Sequence, residues 1–166
     1  IPRPFWVSFP EQVKLAGGCP VFVDTCNHQL DCEKIKQAIT PKTRAILINS
    51  PNNPTGAVYP AEDLVRIAEI ALEQNLYLIS DEAYRLFVYD KLESASLFDI
   101  EDIRHLLIVT RSFSKNFGMT GFRIGWSIAN KKVTAALLNV AAQNTSCPSV
   151  ILQAAATGAL DGIQSG

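Results

Sequence analysis

The 166-residue chain is poor in the residues that build several common site chemistries. Its two histidines, His28 and His105, and its four cysteines, Cys19, Cys26, Cys32 and Cys147, form no C-x-x-C pair and show no zinc-finger spacing. No metal site is expected, and the thiols read as free in a reducing compartment. No stretch reaches the run of about 18 apolar residues that a membrane helix needs. The first residues lack the charged and apolar regions of a signal peptide, so a cytoplasmic location without membrane contact is expected. Charge of one sign is also missing: 15 Lys+Arg against 16 Asp+Glu leave a net charge of −1. The doublet Lys131-Lys132 is too short for a basic patch, which argues against nucleic acid as a partner. The single methionine is Met119 and the chain opens on Ile1, so the expectation is that either upstream sequence was removed or the stretch is part of a larger protein. What is abundant is apolar: 48% hydrophobic against 19% charged residues describes one globular domain with a sizeable core.

Apolar runs alternate with helical patterns, which predicts an α/β fold with a mostly parallel sheet and helices on both faces. Val21-Phe22-Val23 reads as a short strand ending at Asp24. Asp31 suits the cap of a helix with Ile35, Ala38 and Ile39 on one face, stopped by Thr40-Pro41. Ala45-Ile46-Leu47-Ile48 reads as a strand covered on both faces, running into the turn-rich Asn49-Ser50-Pro51-Asn52-Asn53-Pro54-Thr55-Gly56. Pro60 suits the first helical position, and Leu64, Ile67, Ala68 and Ala71 make a buried stripe that ends near Gln74-Asn75.

Leu76-Tyr77-Leu78-Ile79 and Leu106-Leu107-Ile108-Val109 read as further buried strands. The first empties into Asp81-Glu82-Ala83-Tyr84 and the second into Arg111-Ser112-Phe113-Ser114-Lys115. Three strands thus end in polar clusters, and open α/β sheets bind ligands beyond the carboxyl ends of their strands, so the clusters are expected to converge. Phe122 to Ala129 reads as one more strand. Asn130 then caps a helix carrying Val133, Leu137, Val140 and Ala141, and a last helix from Pro148 is expected to bury Val150, Ile151, Ala154 and Ala155.

Singly, these clusters have plain explanations. Asn53-Pro54-Thr55-Gly56 suits a turn, Asp81 suits a cap, and Lys115 suits a solvated surface position. Arg123 within an apolar run is harder to dismiss, because a buried guanidinium needs a partner.

Together, Ser50-Pro51-Asn52-Asn53-Pro54-Thr55-Gly56, Ser80-Asp81-Glu82-Ala83-Tyr84 and the block from Ser112 to Gly125 resemble, in order and spacing, the signature blocks of fold type I aminotransferases dependent on pyridoxal 5'-phosphate. The aspartate aminotransferase group is the nearest likeness, and the resemblance runs from Pro4-Phe5-Trp6 to the last helix. It implies that residues 1–166 are the central part of the cofactor-binding large domain, with the N-terminal segment, small domain and C-terminus outside this stretch. It also implies that the strand at 122–129 is antiparallel to its neighbours.

The resemblance assigns roles to residues. Lys115 matches the lysine that forms the Schiff base with the cofactor and moves the proton. Asp81 matches the carboxylate beside the pyridine nitrogen, and Asn53 and Tyr84 match the donors to the phenolic oxygen. Ser112, Arg123 and Ser114 match phosphate ligands, and Trp6 matches the aromatic that stacks on the ring. Glycines 118, 121 and 125 are expected to let the backbone pass close to the cofactor. The implied activity moves an amino group from an L-amino acid, aspartate-like by family likeness, to a 2-oxo acid such as 2-oxoglutarate in a homodimer. A lyase or decarboxylase on the same scaffold, or a sensor domain of a transcription regulator, are the alternatives, and this stretch by itself is expected to hold an incomplete site.

Overall fold

A computed structural model describes residues 1–164. Its centre is a four-stranded sheet in the order β3 (Ala45–Asn49), β4 (Tyr77–Asp81), β5 (Leu107–Ser112) and β6 (Gly125–Ala129). The first three strands are parallel and β6 is antiparallel to β5, as expected for an α/β fold of this type. A separate two-stranded ribbon pairs β1 (Pro2–Arg3) with β2 (Val23–Asp24), flanking helix α1 (Ser8–Leu15).

The sheet owes its placement to period-2 alternation. Ile46 and Ile48 on β3, Leu78 on β4 and Leu107 and Val109 on β5 all belong to one buried cluster with α3 (Ala61–Glu73). Alternation puts Leu47, Ile79 and Ile108 on the other face, where they are half-buried. Strands expected to be covered on both faces are therefore sealed fully on one.

Helix α3 links β3 to β4 and buries Leu64, Ile67, Ala68, Ile70 and Ala71 against that face. Each fully buried Leu or Ile there contributes roughly 1.5–3 kcal/mol. Pro60 is the N-cap rather than the first helical residue, with an extended ψ of 152°, while Glu62 and Asp63 occupy the first turn. Asp31 caps α2 (Cys32–Gln37) as expected, its carboxylate accepting from the Lys34 N–H at 3.0 Å.

Two expectations need correction, the start of one strand and the burial of the last helix, and the helix between them is exposed. The strand at 122–129 begins only at Gly125, because Thr120–Phe122 form a 3-10 turn and Arg123 sits in the left-handed region with φ 50°. Asn130 does cap α5 (Lys131–Asn144), accepting from the Val133 N–H, yet no residue of α5 is buried and Leu137 and Val140 are exposed. In α6 (Val150–Gln164) the expected stripe is also exposed at Val150, Ile151 and Ala154; the buried residue is Ala156, packed with Phe113 and Ile124. A helical stripe shows which side is apolar, not what covers it.

Candidate active site

Beyond the carboxyl ends of β3, β4 and β5 lies a cleft of about 440 Å³. All eight residues singled out from the sequence line it: Trp6, Asn53, Asp81, Tyr84, Ser112, Ser114, Lys115 and Arg123. Segments more than a hundred residues apart in the chain meet because three parallel strands end side by side. The expected convergence is therefore a property of the fold.

The floor of the cleft is a row of register partners. Asn49 pairs with Asp81 and Asp81 with Thr110, so alternation sends all three side chains to the same face. Asn49 is buried and works in two directions. Its Nδ2 donates to the Asp81 carbonyl at 2.9 Å, and its Oδ1 accepts from the Asn53 N–H at 2.8 Å. The next asparagine, Asn52, closes the turn by accepting from Thr55 N–H and Oγ1, at 3.3 and 2.9 Å. Asn53 is thereby aimed inward, and its Nδ2 donates to the Tyr84 hydroxyl at 3.3 Å. Two residues with the same expected role thus meet directly. Tyr59, buried behind this turn, has its hydroxyl pushed up to about 12 by loss of solvent, only partly offset by its bond with Asn52.

Asp81 is half-buried, and desolvation holds its carboxyl above the usual carboxylate range. The Ala83 N–H, donating at 3.0 Å, and the Thr110 hydroxyl pull the other way, while the neighbouring charge of Glu82 adds to the rise. Among the described residues Asp81 forms no ion pair. Its neighbour Glu82 faces the opposite side of the sheet, where it meets Arg111 at 2.8 Å.

The far wall is built by α4 (Phe113–Asn116), which follows β5 without a loop. Ser112 caps it, its Oγ accepting from the Ser114 N–H at 3.1 Å, and Lys115 stands in its last turn. The Lys115 ammonium lies 5.9 Å from the centre of the Tyr84 ring. The left-handed backbone of Arg123 returns its guanidinium toward α4, with Nη1 donating to the Thr120 carbonyl at 3.0 Å and reaching Ser114 Oγ at 3.4 Å. Among the described residues neither Lys115 nor Arg123 has a carboxylate partner, so two cations and two hydroxyls face the same space.

Trp6 is partly exposed at the rim and meets the Phe9 ring edge-on at a centroid distance of 5.5 Å. Of the three glycines expected near the cleft, Gly118 is required by its φ of 64°. A Cβ at Gly125 would lie 2.7 Å from the Arg111 carbonyl, so close packing of β6 on β5 demands it, while neither constraint acts on Gly121. Asn49, Thr110 and Arg111 also line the cleft and were not singled out from the sequence. Their available signal was position: each is at or next to the end of a strand already known to carry a polar cluster.

The sequence model of the family "Aminotransferase class I and II" matches residues 1–166. The chain is 45% identical over 168 aligned positions to the aspartate aminotransferase of Bacillus sp. (strain YM-2), covering 99% of this chain and 43% of that protein. It is 44% identical to the aspartate/prephenate aminotransferase of Thermus thermophilus over 160 positions, 95% of this chain and 41% of that protein. The structure of aspartate aminotransferase from Thermus thermophilus with maleate superposes with a TM-score of 0.94 at 40% identity, covering 98% of this chain and 43% of that one. The chain therefore spans less than half the length of these relatives. With a family model over its full length and this fold, the chain belongs to the class I and II aminotransferases, a fold type I family that uses pyridoxal phosphate.

Proposed function

We propose that residues 1–166 are the central part of the cofactor-binding large domain of an aminotransferase. The parent protein transfers an amino group from an L-amino acid, aspartate-like, to a 2-oxo acid such as 2-oxoglutarate. The observation that carries this reading is the gathering of eight residues from five separate segments on one cleft.

The charges in that cleft fit pyridoxal 5'-phosphate. Asp81 is a carboxylate whose burial makes its ionised form costly, and among the described residues it forms no ion pair; a protonated ring nitrogen would relieve that cost. Arg123, which has no carboxylate partner among the described residues, forms with Ser112 and Ser114 a donor set suited to a phosphate. Asn53 and Tyr84, 3.3 Å apart, supply donors to one ring oxygen, and Trp6 at the rim covers a ring face. When bound, the cofactor supplies an electron sink that stabilises negative charge at the substrate α-carbon. Lys115 would hold it covalently through Nζ, and its amine, once freed, would move the proton at the substrate α-carbon. Asp81 would favour the protonated ring nitrogen by charge pairing.

A homodimer is part of this proposal, as is a cytoplasmic location; no helix among the described residues is long and apolar enough to cross a membrane. The test is to mix the full-length protein with L-aspartate and 2-oxoglutarate and to follow glutamate and oxaloacetate. Borohydride treatment followed by peptide mass spectrometry locates the cofactor, with the expected adduct on Lys115. Decarboxylated or eliminated products in place of oxaloacetate, or an adduct on another lysine, would sink the proposal.

A further inference from the structure

One ion pair is not used by the chemistry above. Glu82 is only 2% exposed, an unusual environment for a carboxylate, and both its oxygens are occupied. Oε2 accepts from Arg111 Nε at 2.9 Å and faces Arg111 Nη2 at 2.8 Å. Oε1 accepts from Ser96 Oγ at 2.6 Å and from Ser80 Oγ at 3.4 Å, and Arg111 Nη2 also donates to Ser96 Oγ at 3.2 Å.

Its position gives the pair its meaning. The β4–β5 ladder ends at Asp81 opposite Thr110, and Glu82 and Arg111 are the next residues of the two strands. A last backbone bond, Glu82 N–H to the Thr110 carbonyl at 2.9 Å, closes the ladder there. The two charged side chains continue the cross-strand pairing just where the ladder stops. Each is one residue from a cleft residue: Glu82 follows Asp81, and Arg111 precedes Ser112. Ser96 adds a third tie, since the loop that carries Tyr84 leaves from Glu82 and returns to the pair at Ser96, which caps the turn Leu97–Asp99.

Apart from Ser80, the rest of this sheet face is apolar, with Ile48, Leu78 and Val109 fully buried. Apolar residues at 82 and 111 would seal it without the cost of desolvating two charges, because a buried ion pair is weak as a source of net stability. What two guanidinium nitrogens converging on one carboxylate oxygen add, with serine hydroxyls fixing the other oxygen, is direction.

We propose that the buried Glu82–Arg111 pair is a positioning clamp, fixing the spacing and orientation of Asp81 on β4, Ser112 on β5 and the Tyr84 loop so that they engage one cofactor. The inference rests on the cofactor assignment proposed above. A single substitution leaves one buried charge unpaired and endangers the fold, so the working variant is Glu82→Gln/Arg111→Met in the full-length protein, which replaces the pair with neutral side chains of similar size. The cofactor-free variant is expected to melt cooperatively within about 5 °C of wild type. Its apparent dissociation constant for pyridoxal 5'-phosphate, from fluorescence titration, is expected to rise at least fivefold. On a Ser112→Ala background the same double substitution is expected to weaken binding by less than half that factor, because the clamp acts through Ser112 and its neighbours.

A rise below fivefold with an intact melt overturns the proposal, as does an equal factor in the Ser112→Ala background. Loss of cooperative melting also overturns it, since the pair is then needed for folding itself. Wild-type protein that binds no pyridoxal 5'-phosphate removes the cofactor assignment first, and so separates the two failures.

Discussion

Replacing Asn49 by alanine tests whether the cleft is built by its own hydrogen bonds or merely by the fold around it. Asn49 is 3% exposed and spans from the Asp81 carbonyl to the Asn53 N–H. Its two arms differ in value. The Asp81 carbonyl also accepts from the Ser50 N–H at 3.2 Å, so loss of the Asn49 donor costs about 1 kcal/mol, one net hydrogen bond. The Asn53 N–H has no second acceptor among the described residues, so its loss leaves a part-buried donor unsatisfied, at about 1–3 kcal/mol. The sum is roughly 2–4 kcal/mol, a large share of a typical domain's stability. Urea unfolding of the cofactor-free full-length protein measures it directly. A second reading comes from repeating the titration with cofactor present, because a ligand stabilises by RT ln(1 + [L]/Kd) and a tenfold weaker site loses about 1.4 kcal/mol of that increment. Both losses are expected, since Asn53 and Asp81 are released together. An Asn49→Ala protein within about 0.5 kcal/mol of wild type without cofactor would refute the hydrogen-bond account of the turn.

Other perturbations separate the remaining roles. Lys115→Ala is expected to abolish covalent attachment, read as loss of the borohydride-fixed adduct by mass spectrometry, with the unfolding midpoint of the cofactor-free protein unchanged. Arg123→Met is expected to weaken pyridoxal 5'-phosphate by about 10- to 100-fold, the worth of one charged hydrogen bond of about 1.5–3 kcal/mol, yet to leave pyridoxal without its phosphate nearly unaffected in parallel titrations. For Asp81→Asn the sign follows from burial. The folded pKa lies above the ordinary 3.8, so the stability tied to Asp81 is full below that value and is lost as pH rises through the raised one. The asparagine variant should then unfold at higher urea than wild type at pH 7 without cofactor, the gap narrowing as the pH is lowered toward 4, while its cofactor affinity falls. Leu78→Ala, at a fully buried position in the central strand β4, is expected to cost about 2–5 kcal/mol in the same urea assay.

Much of this architecture was legible because its signals are periodic and local. The strands at Ala45, Tyr77 and Leu107 are short apolar runs between turn residues, and the stripe of α3 recurs at helical spacing. The polar clusters then followed from one rule about strand ends, and the cleft gathers them as expected. Of the ribbon, β2 was legible as the apolar run ending at Asp24, while β1 left no trace, because a two-residue strand has no period to read. The false start of β6 at Phe122 has a different cause: Phe122 and Ile124 look extended, but Phe122 closes a 3-10 turn and the left-handed backbone of Arg123 breaks the run. The stripes on α5 and α6 marked apolar sides truthfully but could not say that Leu137, Val140, Val150 and Ile151 are exposed.

Asp81 and Glu82 show where composition stops and geometry begins. As a dipeptide at a strand end they are two similar acids, and only likeness to known proteins separated them in the sequence. In the sheet, one step of the pleat separates them physically. Asp81 shares a face with Asn49 and Thr110, keeps an exposed path to the cleft and has no cation to balance it. Glu82 turns to the face of Ser80 and Leu78, where Arg111 and two serine hydroxyls satisfy both its oxygens. A one-residue slip of β4 would exchange them, placing the paired acid in the cleft and the unpaired one in the core. The apolar alternation of Leu78 with its neighbours on β3 and β5 forbids that slip. The residues that bury the sheet therefore also decide which carboxylate is available for chemistry.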